Sequence, residues 1–402
     1  MKRIPFTPRP NQEQRLTERG LSFWAWDNYW QESAAYEFTP QQIDRLEESV
    51  AELQGMCMNA VRLVAGSDDL LKKLKIPELY WEPIRRSLGM KSFSLYGRFD
   101  LAWNGTGWPK MLEYNADTPT SILESAVCQW DWLEDMSLGP NTDQFNSLHD
   151  KFVDRWSVLR QSGVKKVHFA STRDVDQEYL KTLEGEARDK YLNDESINEE
   201  DWIACHYLMD TAAQAGLEVQ WLAIQDLGFE EHSKVFVDQD NEPIECLFKL
   251  YPWEWMMREE FGPKVIGCKT RIIEPIWKAI LSNKGLLPIL WELYPGHRLL
   301  LPAYFEPNKL ISYAKKPIYS REGANVTLVE RTSELVKGEG LYGAEGYIYQ
   351  DLCKLPEFDG KFPVIGAWVV GDEPAGICIR EDNKLVTTNM SNFVPHIMRA
   401  PK

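Results

Sequence analysis

Nowhere in this 402-residue chain is there an uncharged run long enough to cross a bilayer as a helix. The first residues, Met1-Lys2-Arg3-Ile4-Pro5-Phe6-Thr7-Pro8, lack the apolar core of a secretory signal. There is no Cys-x-x-Cys pair; the seven cysteines (57, 128, 205, 246, 268, 353 and 378) are scattered and odd in number. That argues against a zinc site or a disulfide frame and for reduced, mostly buried thiols in a cytoplasmic protein. Cys205 and His206 are adjacent in sequence, which gives a nucleophile no geometric advantage. Neither Gly-Lys-Ser nor Gly-Lys-Thr occurs, so a Walker loop is excluded. No Gly-x-Gly-x-x-Gly dinucleotide fingerprint is expected either. Basic residues are in short supply: 45 against 61 acidic ones, a formal charge of −16. This balance argues against a nucleic-acid binder built on phosphate contacts and weakly favours a cationic partner, besides aiding solubility.

What is present is a hairpin with chemistry on it. Gly97-Arg98-Phe99-Asp100-Leu101-Ala102-Trp103 and Met111-Leu112-Glu113-Tyr114-Asn115-Ala116-Asp117 read as two strands around the turn Asn104-Gly105-Thr106-Gly107. Side chains alternate faces along a strand, so Arg98 lies with Asp100, and Glu113 with Asn115. A register setting Asp100 opposite Glu113 and Arg98 opposite Asn115 gathers all four on one surface. Two carboxylates and an amide oxygen form a hard-oxygen set suited to Mg2+, whose octahedron phosphates and water commonly complete. Arg98 adds fixed positive charge beside them. A solvated hairpin face of mixed charge is the plainer reading of the same residues.

Further runs follow in order. They are Lys249-Leu250-Tyr251-Pro252-Trp253-Glu254-Trp255, Ser282-Asn283-Lys284-Gly285-Leu286-Leu287-Pro288, Lys316-Pro317-Ile318, Arg321-Glu322-Gly323-Ala324-Asn325 and Ile348-Tyr349-Gln350-Asp351-Leu352. With Glu-Tyr-Asn-Ala-Asp at 113–117, their order and spacing resemble the glutathionylspermidine synthase family, a branch of the ATP-grasp carboxylate–amine ligases. The resemblance runs from about Phe93 to the C-terminus. It implies ATP and Mg2+ as cofactors, with a glutathione-like carboxylic acid and a polyamine-like amine as small-molecule substrates. It implies an amide-forming ligase working through an acyl phosphate, with no nucleic-acid or membrane partner. Only the synthetase part is expected, without the amidase half of bifunctional members. A small-molecule kinase and a non-catalytic nucleotide-binding scaffold remain as alternatives.

Residue by residue, the resemblance implies a metal site of Asp100, Glu113 and Asn115, with Arg98 and Arg380 acting on the transferred phosphoryl group. The nucleotide site would comprise Arg98, Phe99, Asp100, Lys284, Lys316, Gly323, Ala324, Gln350, Asp351, Leu352, Cys353, Leu385, Val386 and Thr387. Within it, Lys284 and Lys316 grip the phosphates, Gly323 and Ala324 admit backbone close to the triphosphate, and Gln350 meets the adenine edge. Thr118 and Thr120 stand where the family holds its glutathione-like acid with serines, and Glu199 and Glu200 resemble the acidic pair of the substrate region, suited to a polyamine or to the α-amino end of a peptide. As residues alone these fit equally a solvated lysine, a tight turn, a surface salt bridge and helix-terminal acids that favour the macrodipole. Two departures concern the substrate: Leu250 replaces a threonine of the glutathione-using members, and Val364 a polar residue near the nucleotide.

The expected fold class is α/β (α+β): an ATP-grasp fold with a preceding α/β substrate domain and a mostly helical N-terminal region. The division expected is 1–90 for the helical region, 91–300 for the hairpin and substrate domain, and 301–402 for the ATP-grasp lid and C-terminal nucleotide-binding lobe. Thr39-Pro40-Gln41-Gln42 opens a long helix to about Ala65, while Phe23, Trp24, Trp26, Tyr29 and Trp30 form a packing layer. A helix is expected over 121–136, a buried strand over 163–171, and a helix from about Glu200 to Ala215 before the strand at Val219. An acidic loop, 194–201, precedes that second helix. Lys284 is placed between a helix and an apolar strand, and the last third reads as strands in which a Gly loop joins two of them.

Overall fold

In the computed structural model the residues described are 1–25, 29–173, 182–185, 187–188, 198–321, 323–388 and 391–400. Trp26, Glu322 and the first part of the acidic loop, 194–197, therefore lie outside the described residues. The class is mixed helix and sheet, as expected, and the described strands form four sheets of four or five strands plus one small hairpin.

The helix Pro40–Ala65 begins where the sequence places it. Thr39 accepts from the Gln42 backbone N–H, the Gln42 side chain accepts from the Thr39 N–H, and Pro40 occupies the first turn. Its inner stripe (Ile43, Leu46, Val50, Leu53, Cys57, Val61, Val64) joins the larger of the hydrophobic clusters. Phe99 and Tyr114 belong to that cluster, stacked at 3.7 Å, with the Tyr114 hydroxyl donating to Gln54. One face of the hairpin is thus buried against the helix, and strand alternation turns Arg98, Asp100 and Glu113 the other way.

The hairpin strands are Tyr96–Ala102 and Lys110–Asn115, with Arg98 opposite Asn115 and Asp100 opposite Glu113. They are not an isolated ribbon. Tyr96–Ala102 pairs along its other edge with Phe362–Val370, which continues to Glu373–Asp382 and Asn392–Val394 in one antiparallel five-stranded sheet. This sheet crosses the boundary drawn at residue 300, because strand pairing follows edges in space rather than order in the chain. A second antiparallel sheet (Ala303–Tyr304, Tyr347–Asp351, Tyr313–Pro317, Thr327–Glu330, Ser333–Lys337) forms the opposite wall of a cleft. In it the basic strand end and the Gly loop join two strands, as expected. The run Gly338-Glu339-Gly340-Leu341-Tyr342-Gly343 does have Gly-x-Gly-x-x-Gly spacing, a correction to the sequence reading. It links Ser333–Lys337 to Tyr347–Asp351 and opens no helix, so it lacks the terminus that would receive a pyrophosphate.

Behind the hairpin, the parallel strands Arg271–Ile273, Cys246–Lys249, Lys166–Ser171 and Glu218–Ala223 form the α/β layer, with the helices Leu148–Gln161 and Glu199–Gln214 packed on it. Trp156 fills that interface, edge-on to Phe169 and Phe248 and bonded to the Thr211 hydroxyl. Trp156→Ala is expected to cost about 3–5 kcal/mol in a urea denaturation, read as a lower midpoint.

The N-terminal region is mostly helical, as expected, and also contributes the strands Lys2–Pro5 and Ala34–Phe38 to a sheet completed by His396–Arg399 and Thr142–Asp143. One assignment is corrected. The apolar segment after Lys284 is a helix, Leu286–Leu293, because an uninterrupted apolar run has no period to distinguish helix from strand. The packing layer holds for Phe23, Tyr29 and Trp30, with Trp30 stacked on Phe393 at 5.3 Å. Five of the seven cysteines are buried, and none is in a disulfide. No described helix is long and apolar enough to cross a membrane.

Candidate active site

The cleft between the two antiparallel sheets is lined by Asp100, Glu113, Lys284, Lys316, Gly323 and the segments 350–353 and 385–387. Five separate parts of the chain therefore meet here. The Asp100 carboxylate accepts from Arg98 Nε at 3.0 Å and from Arg380 Nη2 at 2.6 Å. Burial alone would push this carboxyl up; the Arg380 and Arg98 charges outweigh it and hold it below the ordinary value. Across the ladder, burial of Glu113 is likewise outweighed by Lys284, whose Nζ lies 3.3 Å away, and by Lys316. Lys284 also donates to the Ser320 carbonyl. Burial pushes Lys316 down to about 8 against the opposing pull of Glu113, so it stays mainly charged at neutral pH.

Small residues make room for these cations. A Cβ on Gly366, which pairs with Asp100, would stand 2.5 Å from Cys378 Sγ and 2.9 Å from Arg98 Cδ. Without it the Arg98 side chain lies against the sheet, over the Trp368 ring at 5.5 Å, and Nη1 donates to the Thr120 carbonyl. Gly323 has φ +71°, and a Cβ there would stand 2.7 Å from the Thr387 carbonyl, so the loop closes on 386–387 only with glycine.

Other expected site residues fall as follows. Asn115 Oδ1 accepts from the backbone N–H groups of Asp117 and Thr118, each at 3.3 Å. Thr118 is buried and its hydroxyl accepts from Arg321 Nη1 at 2.6 Å, while Thr120 serves Arg98 through its carbonyl. Glu199 and Glu200 open the helix Glu199–Gln214, capped by the Asn198 side chain, and Glu199 accepts from the Ser22 hydroxyl. Phe99 belongs to the buried opposite face, and Ala324 follows Gly323 without lining the cleft. Gln350 lines the cleft and is engaged within the chain. Its side chain accepts from Lys316 Nζ at 2.8 Å and donates to the Met111 carbonyl at 3.1 Å, so it orients the lysine.

Two residues were not singled out from sequence. Arg321, inside a quoted run, bridges Thr118 and Glu254. Glu124 is buried in a π-helical turn, Glu124–Cys128, and its carboxylate accepts from the Tyr29 hydroxyl at 2.5 Å. Burial, then the neighbouring charge of Glu200, raises Glu124 to about 7. No local pattern marks an isolated Glu or Tyr as paired across 95 residues.

The donor set suits a metal–nucleotide ligand. Among the described residues no three of His, Cys, Asp or Glu cluster as a metal cage; the hard oxygens here are two carboxylates and an amide, which leaves positions for phosphate and water. Arg380 Nε, Arg321 Nε and the Ser320 hydroxyl are buried and bond to no described residue, leaving donors spare beside the cleft.

A Haemophilus influenzae protein named as a candidate acid–amine ligase is 40% identical over 98% of this chain and 99% of its own length. A trypanothione synthetase of Crithidia fasciculata is 30% identical over 85% of this chain, and a bifunctional glutathionylspermidine synthetase/amidase of Escherichia coli K12 is 27% identical over 90%. This chain spans 53% and 59% of the lengths of those two. The family model described as glutathionylspermidine synthase preATP-grasp matches residues 3–399, and the chain belongs to that family.

Proposed function

We propose that this protein is an ATP- and Mg2+-dependent carboxylate–amine ligase that forms an amide bond through an acyl phosphate. The observation that carries this reading is the meeting of Asp100, Glu113, Lys284 and Lys316 on one cleft, with Arg98 and Arg380 bonded to Asp100 and Asn115 opposite Arg98 on the hairpin. Phosphoryl transfer needs position and charge neutralisation more than acid–base groups, and these residues supply both. In the ligand-free chain the acids and cations neutralise one another. A triphosphate would draw the cations to its oxygens and release Asp100, Glu113 and Asn115 for the metal. Mg2+, when bound, supplies further neutralisation of phosphate charge.

A substrate carboxylate oxygen attacks the γ-phosphorus, the bond to the bridging oxygen breaks and ADP leaves. Arg98 and Arg380 face the group in transit. The amine nitrogen then attacks the acyl carbon, and phosphate departs with the electrons of the broken C–O bond. Arg321 and Thr118 seat the acid, and Glu199 and Glu200 draw in a cationic amine. Glu124, raised to about 7, takes the proton the ammonium must shed. The acid is small and anionic and the amine polyamine-like; Leu250, buried behind the cleft, separates this chain from glutathione-using members.

The test is Mg2+-dependent ADP release across acids (glutathione, γ-glutamyl and other small peptides) crossed with amines. Release requiring both partners is the expected result. Release with acid alone would make the protein a kinase, and ATP binding without turnover on every pair would leave a nucleotide-binding scaffold.

A further inference from the structure

Lys249 and Asp117 form an ion pair at 2.9 Å in which both side chains are wholly buried. Lys249 ends the parallel strand Cys246–Lys249, and Asp117 lies two residues past the metal-site Asn115. Burial lowers the Lys249 ammonium despite the opposing pull of Asp117, so the ion pair exists against a desolvation cost. Apolar residues of the same volume would stabilise a core at least as well. The pair therefore asks for a role other than holding the fold.

Its geometry supplies one. The second Asp117 oxygen accepts from the Trp253 backbone N–H at 2.7 Å, and Lys249 also donates to the Tyr251 carbonyl at 2.7 Å. The ammonium sits 4.4 Å from the centre of the Trp253 ring, whose indole N–H donates to the Glu274 carbonyl. Asp117 is thus held on both oxygens by the parallel layer. From that held residue the backbone N–H groups of Asp117 and Thr118 reach Asn115 Oδ1, and Thr118 presents its hydroxyl to Arg321. The first strand of the hairpin is tied the same way where it begins, at the same open end. Glu274 accepts from the N–H groups of Leu95 and Tyr96, and its partner Lys278 donates to the Tyr96 carbonyl.

We propose that the Lys249–Asp117 pair, spanned by Trp253, is a positioning device that fixes the turn carrying the Asn115 amide and the Thr118 hydroxyl, and so sets the affinity for the divalent cation and for the acid. It rests on the ligase reading of the cleft. Neither residue touches a reacting atom; both act through Asn115 and Thr118. Outer groups that orient metal ligands typically govern affinity by tenfold or more.

The experiment compares the full chain with Lys249→Met and with the double variant Asp117→Asn/Lys249→Met. Thermal melts are recorded, and Mn2+ binding is followed by electron paramagnetic resonance in the presence of a non-hydrolysable ATP analogue. The single variant strands a buried carboxylate and melts lower. The double variant recovers most of the melting temperature yet binds Mn2+ about tenfold more weakly, with a raised KM for the acid and little change in kcat. Binding of the analogue without metal is unchanged. A double variant with wild-type Mn2+ affinity and wild-type acid KM would overturn the inference and reduce the pair to a packing element. A wild-type chain that binds no Mn2+ with the analogue would instead sink the ligase reading, and this inference with it.

Discussion

Asp100→Asn is expected to lower Mg2+-dependent ADP release by on the order of 10³-fold or more while leaving the chain folded. Three effects coincide at this carboxylate. It would lose the negative charge that makes it a metal ligand. It would also loosen Arg98 and Arg380, which it aligns through separate oxygens at 3.0 and 2.6 Å. And Glu113 would lose the like charge across the ladder that pushes it up, tightening its contact with Lys284 in place of the metal. The substitution keeps the shape of the side chain and one of its acceptor oxygens, so circular dichroism should be little altered. Rate loss of less than tenfold at saturating Mg2+ would mean that the metal is held elsewhere.

Glu124→Gln is expected to act on the second half-reaction. In the wild type, amine-dependent turnover should rise with pH through a limb near 7, the value to which burial and Glu200 raise this carboxyl. Tyr29 remains a donor to it, since burial and then the charge of Glu124 raise the phenol well above 10. Arg98 on the hairpin opposes the shift weakly. The variant should lose that limb and about 10²- to 10³-fold in amine-dependent rate, while an ADP burst with acid and ATP persists. The stability effect has the opposite sign. The folded chain keeps this proton up to about 7, the unfolded chain only to the ordinary 4.5, so the folded state binds more protons in that window and loses stability as pH rises through it. Glu124→Gln should therefore gain in melting temperature over the wild type between about pH 4.5 and pH 7. An unchanged limb in the variant would assign the proton transfer to another group.

The contrast between Asp100 and Glu124 shows where sequence is readable. The four polar residues of the hairpin are local: period-two alternation and a tight turn bring Arg98, Asp100, Glu113 and Asn115 to one face, and the observed register is the one expected. The long helix was equally legible, since Thr39, Pro40 and Gln42 carry its start within four residues. The segment after Lys284 differs from the expected strand because residues 286–291 are apolar at six successive positions, a run that carries no period. Gln350 occupies a recognisable run, but what its amide bonds depends on Lys316 on the neighbouring strand.

By itself the sequence determined the elements whose causes are a few residues long: caps, alternation, the absent Walker loop, and the ordered runs that mark the family. Tertiary structure alone decided which of these meet. Only the pairing of Tyr96–Ala102 with Phe362–Val370 sets Arg380 against Asp100, 280 residues away. Burial and the nearby Glu200 raise Glu124, and only the parallel layer supplies Lys249 to Asp117. Charge and desolvation depend on distance in space, and a chain folded from both its ends sets that distance only after every sheet has closed.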